Sequence, residues 1–116
     1  MPYRTVSLVN GEVYHVFNKS IAEFKIFNND SHFDRIINII RYYQLTRRAL
    51  SFSNFIRMNS ENIGVHISSD KKKLVEIIAY CIMPTHLHLV LKQLEDSGIS
   101  VFMNNILSSY SHYFNI

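Results

Sequence analysis

Leu74-Val-Glu-Ile-Ile-Ala-Tyr-Cys-Ile-Met83, then Pro84-Thr85, then His86-Leu-His-Leu-Val-Leu-Lys-Gln93 is the stretch from which the fold can be worked out. The first run is mostly apolar and stops at Pro84, which has no N–H to give to a ladder. The second alternates. Side chains two apart on a strand share a face, so Leu87, Leu89 and Leu91 point one way and can anchor the strand in a core, while His86 and His88 point the other. With only Pro84-Thr85 between them, the two runs predict an antiparallel hairpin, although Pro-Thr is not a favoured two-residue turn pair. The histidine strand is then central or nearly so. Two imidazoles so placed can grip one divalent metal. They can equally be a partly buried pair hydrogen-bonded within the sheet, and spacing alone does not choose.

Working outward, Glu12 to Asn18 is rich in β-branched and aromatic residues after Asn10-Gly11 and predicts a first strand. Residues 19 to 29 form a polar connection. Asp30 or Ser31 then offers an N-cap, and Phe33, Ile36, Ile37, Ile40 and Tyr43 recur at helical spacing, predicting a helix to about residue 49. Residues 51 to 73 are mixed, with a short strand expected around Val65 to Ile67. Beyond the hairpin, Ile99, Phe102, Met103, Ile106, Leu107, Tyr110, Tyr113 and Phe114 mark an amphipathic helix with Ser97 as its cap. The order β, α, short β, β, β, α predicts an α+β, ferredoxin-like split βαβ sandwich with a central antiparallel sheet.

The chain has 116 residues, 47% of them hydrophobic, which fits one domain over residues 1–116 with a sizeable core. A single cysteine, Cys81, excludes an intrachain disulfide and a thiolate zinc cluster within the chain. Neither a signal peptide nor a run of about 18 apolar residues is evident, so a cytoplasmic protein without a membrane partner is expected. Formal charge is only +3, but its distribution is informative: between Arg35 and Ser60 stand five arginines and no acid, interleaved with Tyr42, Tyr43, Phe52 and Phe55. Arginine beside aromatics suits phosphate contact and base stacking on single strands, and it equally describes a solvated helix face above ordinary core aromatics.

Two histidines are too few for a closed structural site; an under-coordinated metal leaves positions for phosphate oxygens, as phosphoryl chemistry requires. The block Ala79-Tyr-Cys-Ile-Met-Pro-Thr-His-Leu-His-Leu-Val-Leu91 resembles the histidine-hydrophobe-histidine (HUH) block of single-tyrosine transposases, specifically the REP-associated, IS200-like group. Tyr14-His-Val-Phe-Asn-Lys19 resembles that group's amino-terminal block. The segments Gly98 to Met103 and Tyr110 to Asn115 resemble its tyrosine helix.

The resemblance implies cleavage and rejoining of single-stranded or hairpin DNA through a 5′-phosphotyrosine, with a divalent metal ion, magnesium or manganese, at His86 and His88. It aligns Tyr110 with the nucleophile, with Tyr113 as the alternative. Asn115 is the candidate third ligand, beside His15 and His112. Arg41, Arg47, Arg48, His15 and Lys19 are the candidate DNA contacts, and a homodimer is conceivable. In two places the chain departs from the group: Thr85 stands where asparagine is usual, and Ile116 closes the sequence where relatives continue, so a form lacking the family's carboxy-terminal part is expected. A non-catalytic module that grips single strands is the alternative function; a water-using metallohydrolase fits less well, because no acidic cluster accompanies the histidines.

Overall fold

A computed structural model describes residues 7–20, 24–44, 52, 56 and 73–115. Its elements are β1 (Val13–Lys19), α1 (Asp30–Tyr43), β2 (Val75–Met83), β3 (His86–Gln93) and α2 (Gly98–Phe114). The strands form a three-stranded sheet in the order β1-β3-β2, and β3 is antiparallel to both neighbours. β1 and β2 therefore run parallel to each other with β3 inserted between them, which is the split βαβ arrangement expected from the order of elements. Among the described residues the fold is α+β, a split βαβ sheet of three strands packed with two helices.

The alternation along β3 carries through to burial. Leu87, Leu89, Leu91 and Gln93 are buried, while His86, His88, Val90 and Lys92 are half-buried. The three leucines join one core cluster with Ile36, Ile39, Ile40, Tyr42 and Tyr43 of α1 and Ile99, Phe102, Met103, Ile106 and Tyr110 of α2. Each such leucine removes enough apolar area from water to contribute roughly 1.5–3 kcal/mol. Both helices cover the leucine face. The opposite face of the sheet, which carries the histidines, is not covered by either helix.

Helix boundaries differ from the sequence expectation in instructive ways. The cap of α1 is Asn29, one residue before Asp30, because its extended backbone lets its side chain accept the His32 N–H at 2.9 Å. The His32 ring reciprocates by accepting the Asn28 N–H at Nδ1, 3.0 Å away. α1 ends at Tyr43, short of residue 49, and the Gln44 carbonyl accepts the Leu74 N–H at 2.7 Å, tying the end of α1 to the start of β2. Ser97 does occupy the cap position of α2, but with a left-handed backbone and no side-chain cap bond.

Gln93 caps α2 instead: its side-chain oxygen accepts the Ile99 N–H at 3.1 Å, while its amide nitrogen donates to the Leu8 carbonyl and Asn10 Oδ1. Gly98 is required by close approach, since a Cβ there would lie 2.3 Å from the Leu74 carbonyl oxygen. The expected strand at Val65 to Ile67 lies outside the described residues.

Candidate functional site

The site is built on the sheet face opposite the two described helices. Cross-strand pairing sets His86 opposite Lys19 on β1 and Met83 on β2, and His88 opposite Phe17 and Cys81. His15, two residues before Phe17 on β1, reaches diagonally to His88. Their rings stack nearly parallel, 5.2 Å between centroids and 8° between planes, with His15 Nε2 3.1 Å from His88 Nδ1. His86 stacks on the other side of His88 at 5.9 Å and 18°. Phe17 completes the row, 5.8 Å from His88 at 21°. Four rings thus stand side by side on two adjacent strands, and this follows from the period-two placement of His15, Phe17, His86 and His88.

Hydrogen bonding gives the row a chemical direction. Thr85 Oγ1 lies 2.6 Å from His86 Nδ1, and His15 engages Nδ1 of His88. In both rings of the pair Nδ1 has a partner, and in the tautomer with the proton on Nδ1 the Nε2 lone pair is left for an electrophile. Two adjacent imidazoles with free Nε2 atoms on a half-exposed strand fit a divalent metal with open positions. Among the described residues, no group of three or more His, Cys, Asp or Glu side chains is set to enclose one. His15, the third histidine here, aims its Nε2 at His88.

The remaining candidates are placed elsewhere. Tyr110 is 5% exposed and belongs to the core cluster on the leucine side of β3. Its ring packs on Phe27 at 4.8 Å, and its hydroxyl donates to the Ile26 carbonyl. Burial, reinforced by Tyr113, holds this phenol well above the ordinary tyrosine range. Tyr113 is half-buried in the same layer, with the Arg35 guanidinium 4.6 Å above its ring. Asn115 caps the end of α2, its N–H donated to the Ser111 carbonyl. Tyr110 and Asn115 meet in a cavity of about 440 Å³ that also touches Asn18, Lys19, Phe24 and Phe114. The structure therefore brings Tyr110 and Asn115 together, and brings His86, His88 and His15 together, with Lys19 common to both groups: it lines the cavity of Tyr110 and pairs opposite His86. His112 is exposed in the last turn of α2.

The basic candidates also divide. Lys19 is exposed beside His86. Arg41 is exposed on α1, beside Ile77 and Tyr80 of β2, and so flanks the helix layer. Arg47 and Arg48 lie outside the described residues. Arg35, from the same arginine-rich span, is turned inward between Phe52 at 5.0 Å and Tyr113. Sequence reasoning overlooked Phe17, whose 56% exposure beside two histidines is unusual for phenylalanine. Its signal was present in the alternation His15, Phe17, Lys19, which puts an aromatic and a cation on the histidine face.

Comparison with known proteins agrees with this arrangement of blocks. No curated protein and no solved structure matches the chain significantly. A family model described as "Transposase IS200 like" matches residues 8–116, spanning every described element from β1 to α2, and the chain belongs to the IS200-like transposase family.

Proposed function

We propose that this chain is the catalytic domain of a metal-dependent transposase that nicks and rejoins single-stranded, hairpin-containing DNA through a 5′-phosphotyrosine. The observation that carries the proposal is the pairing of His86 and His88, both with Nδ1 engaged, on the sheet face opposite the described helices of a chain in this family. His86 and His88 would hold a divalent ion, manganese or magnesium, through Nε2. When bound, the ion polarises the scissile phosphate and stabilises the charge that develops on its oxygens. Lys19 would contact a neighbouring phosphate, and Phe17 would stack on a base. In the reaction a tyrosine oxygen bonds to phosphorus as the bond from phosphorus to the 3′-oxygen breaks, and the phenolic proton ends on that departing oxygen. A DNA 3′-hydroxyl reverses the step without a nucleotide cofactor, because the phosphotyrosine conserves the bond energy.

Tyr110 is the proposed nucleophile by resemblance, and it can act only after its hydroxyl leaves the Ile26 carbonyl and reaches a histidine face, of its own chain or of a second copy. The committed hydroxyl favours one alternative, a module that binds single strands without cutting. Incubation of a labelled hairpin DNA with the protein and Mn²⁺, followed by denaturing electrophoresis, decides between them. A covalent adduct lost in His86→Ala, His88→Ala and Tyr110→Phe is the expected result. An adduct that survives Tyr110→Phe but not Tyr113→Phe transfers the role to Tyr113, and binding without any adduct establishes the module.

A further inference from the structure

We infer that Thr85 and His15 are positioning residues, each fixing the orientation and tautomer of one histidine of the pair; the inference rests on the metal-binding role proposed for His86 and His88. The two contacts are chemically parallel although their sources differ. Thr85 is in the hairpin turn and reaches the ring of the next residue, 2.6 Å from Oγ1 to Nδ1. His15 is on β1 and reaches across to His88, 3.1 Å from Nε2 to Nδ1. An imidazole whose Nδ1–H donates to a fixed acceptor keeps its proton there and presents the Nε2 lone pair outward. The Thr85 hydroxyl can accept from His86, and His15 Nε2 can accept from His88 when His15 carries its own proton on Nδ1.

The His88 ring lies nearly parallel to those of His15 and His86, 5.2 and 5.9 Å away between centroids. With Nδ1 protonated in both rings, each Nε2 presents a lone pair to an electrophile. His15 accordingly acts on His88 and is not itself a ligand in this arrangement.

The test uses the whole chain and Mn²⁺ alone, with titration calorimetry for affinity and long-range ¹H–¹⁵N correlation spectra of the metal-free protein for tautomers. Thr85→Val removes the hydroxyl at constant shape, and His15→Phe keeps a stacking ring without nitrogen. Each is expected to weaken Mn²⁺ binding about 10–100-fold, as loss of an orienting hydrogen bond does. Thr85→Ser should restore wild-type affinity. In the spectra Thr85→Val should shift the His86 ring nitrogens and leave those of His88, and His15→Phe should do the reverse, a selectivity that general loosening of the sheet would not produce. Unchanged Mn²⁺ affinity in both variants, or unchanged ring nitrogens, overturns the positioning roles. A wild-type chain that binds no Mn²⁺ overturns the metal role itself, while the spectra still decide whether Thr85 and His15 set the tautomers.

Discussion

At the scale of the single residue, Tyr110 and Phe17 exchange the roles that their types suggest. The tyrosine is buried and the phenylalanine is exposed, and each has a measurable consequence. Tyr110→Phe deletes the hydroxyl that satisfies the Ile26 carbonyl, so urea denaturation at neutral pH should show a loss of about 1 kcal/mol. The same phenol adds a pH dependence. Its folded value lies above the unfolded value of about 10, so its contribution is complete below that pH; as pH rises further, the unfolded chain releases the proton first and stability falls. Denaturation midpoints followed from pH 9 to 11 should fall less in Tyr110→Phe than in wild type. Phe17→Ala should leave folding nearly untouched and weaken binding of a short single-stranded oligonucleotide by roughly 1–3 kcal/mol, measured by fluorescence anisotropy. Unaltered affinity would mean that bases do not stack there. The burial of Tyr110 was legible in its place on the stripe Ile99, Met103, Ile106. Its acceptor was not, because Ile26 is 84 residues away in sequence and a backbone carbonyl carries no signature.

At the scale of the element, β3 was the most legible part of the chain. Its alternation is complete from His86 to Gln93, and a one-residue slip would move every leucine to the outer face and both histidines into the core, so the register is strongly specified. The helix caps were less so. Asn28, Asn29, Asp30 and Ser31 are all competent cap residues, and only the local backbone selects Asn29. Gln93 was missed because a polar residue at the end of a strand ordinarily faces water. Here it is 2% exposed and joins the segment before β1, the end of β3 and the start of α2 through three hydrogen bonds. Gln93→Leu keeps the volume and leaves the Ile99 N–H without its cap, so a destabilisation of about 2 kcal/mol is expected in urea titration. A change below about 0.5 kcal/mol would show that α2 is held by its apolar face alone.

At the scale of the whole molecule, the sheet separates two chemistries. Helices and their core lie on one side; histidines, Lys19 and exposed Val13, Phe17 and Met83 lie on the other. Among the described residues no helix is long and apolar enough to cross a membrane. If DNA is confined to the histidine face, Lys19→Ala should weaken binding and reduce the slope of log affinity against log salt by about 1, whereas Arg41→Ala should leave both unchanged. Equal losses in the two variants would mean that the strand passes over β2 to α1. That the cavity of Tyr110 reaches Lys19, opposite His86, could not be read from sequence, because helical periodicity identifies an inward face without saying which part of the sheet that face meets.

The carbonyl of Pro84 accepts two amides, from Ile26 at 2.8 Å and Phe27 at 3.2 Å, and the carbonyl of Thr85 accepts a third from Ser20 at 2.9 Å. The turn that delivers His86 is therefore also the mooring of the chain between β1 and α1, whose Ile26 carbonyl in turn holds Tyr110. The two halves of the proposed chemistry are thus joined by one run of hydrogen bonds, from Tyr110 to Ile26 and from Ile26 to Pro84, in the turn just ahead of His86. Hydrogen exchange at the Ile26 and Phe27 amides should accordingly quicken in Tyr110→Phe, and Mn²⁺ should slow it.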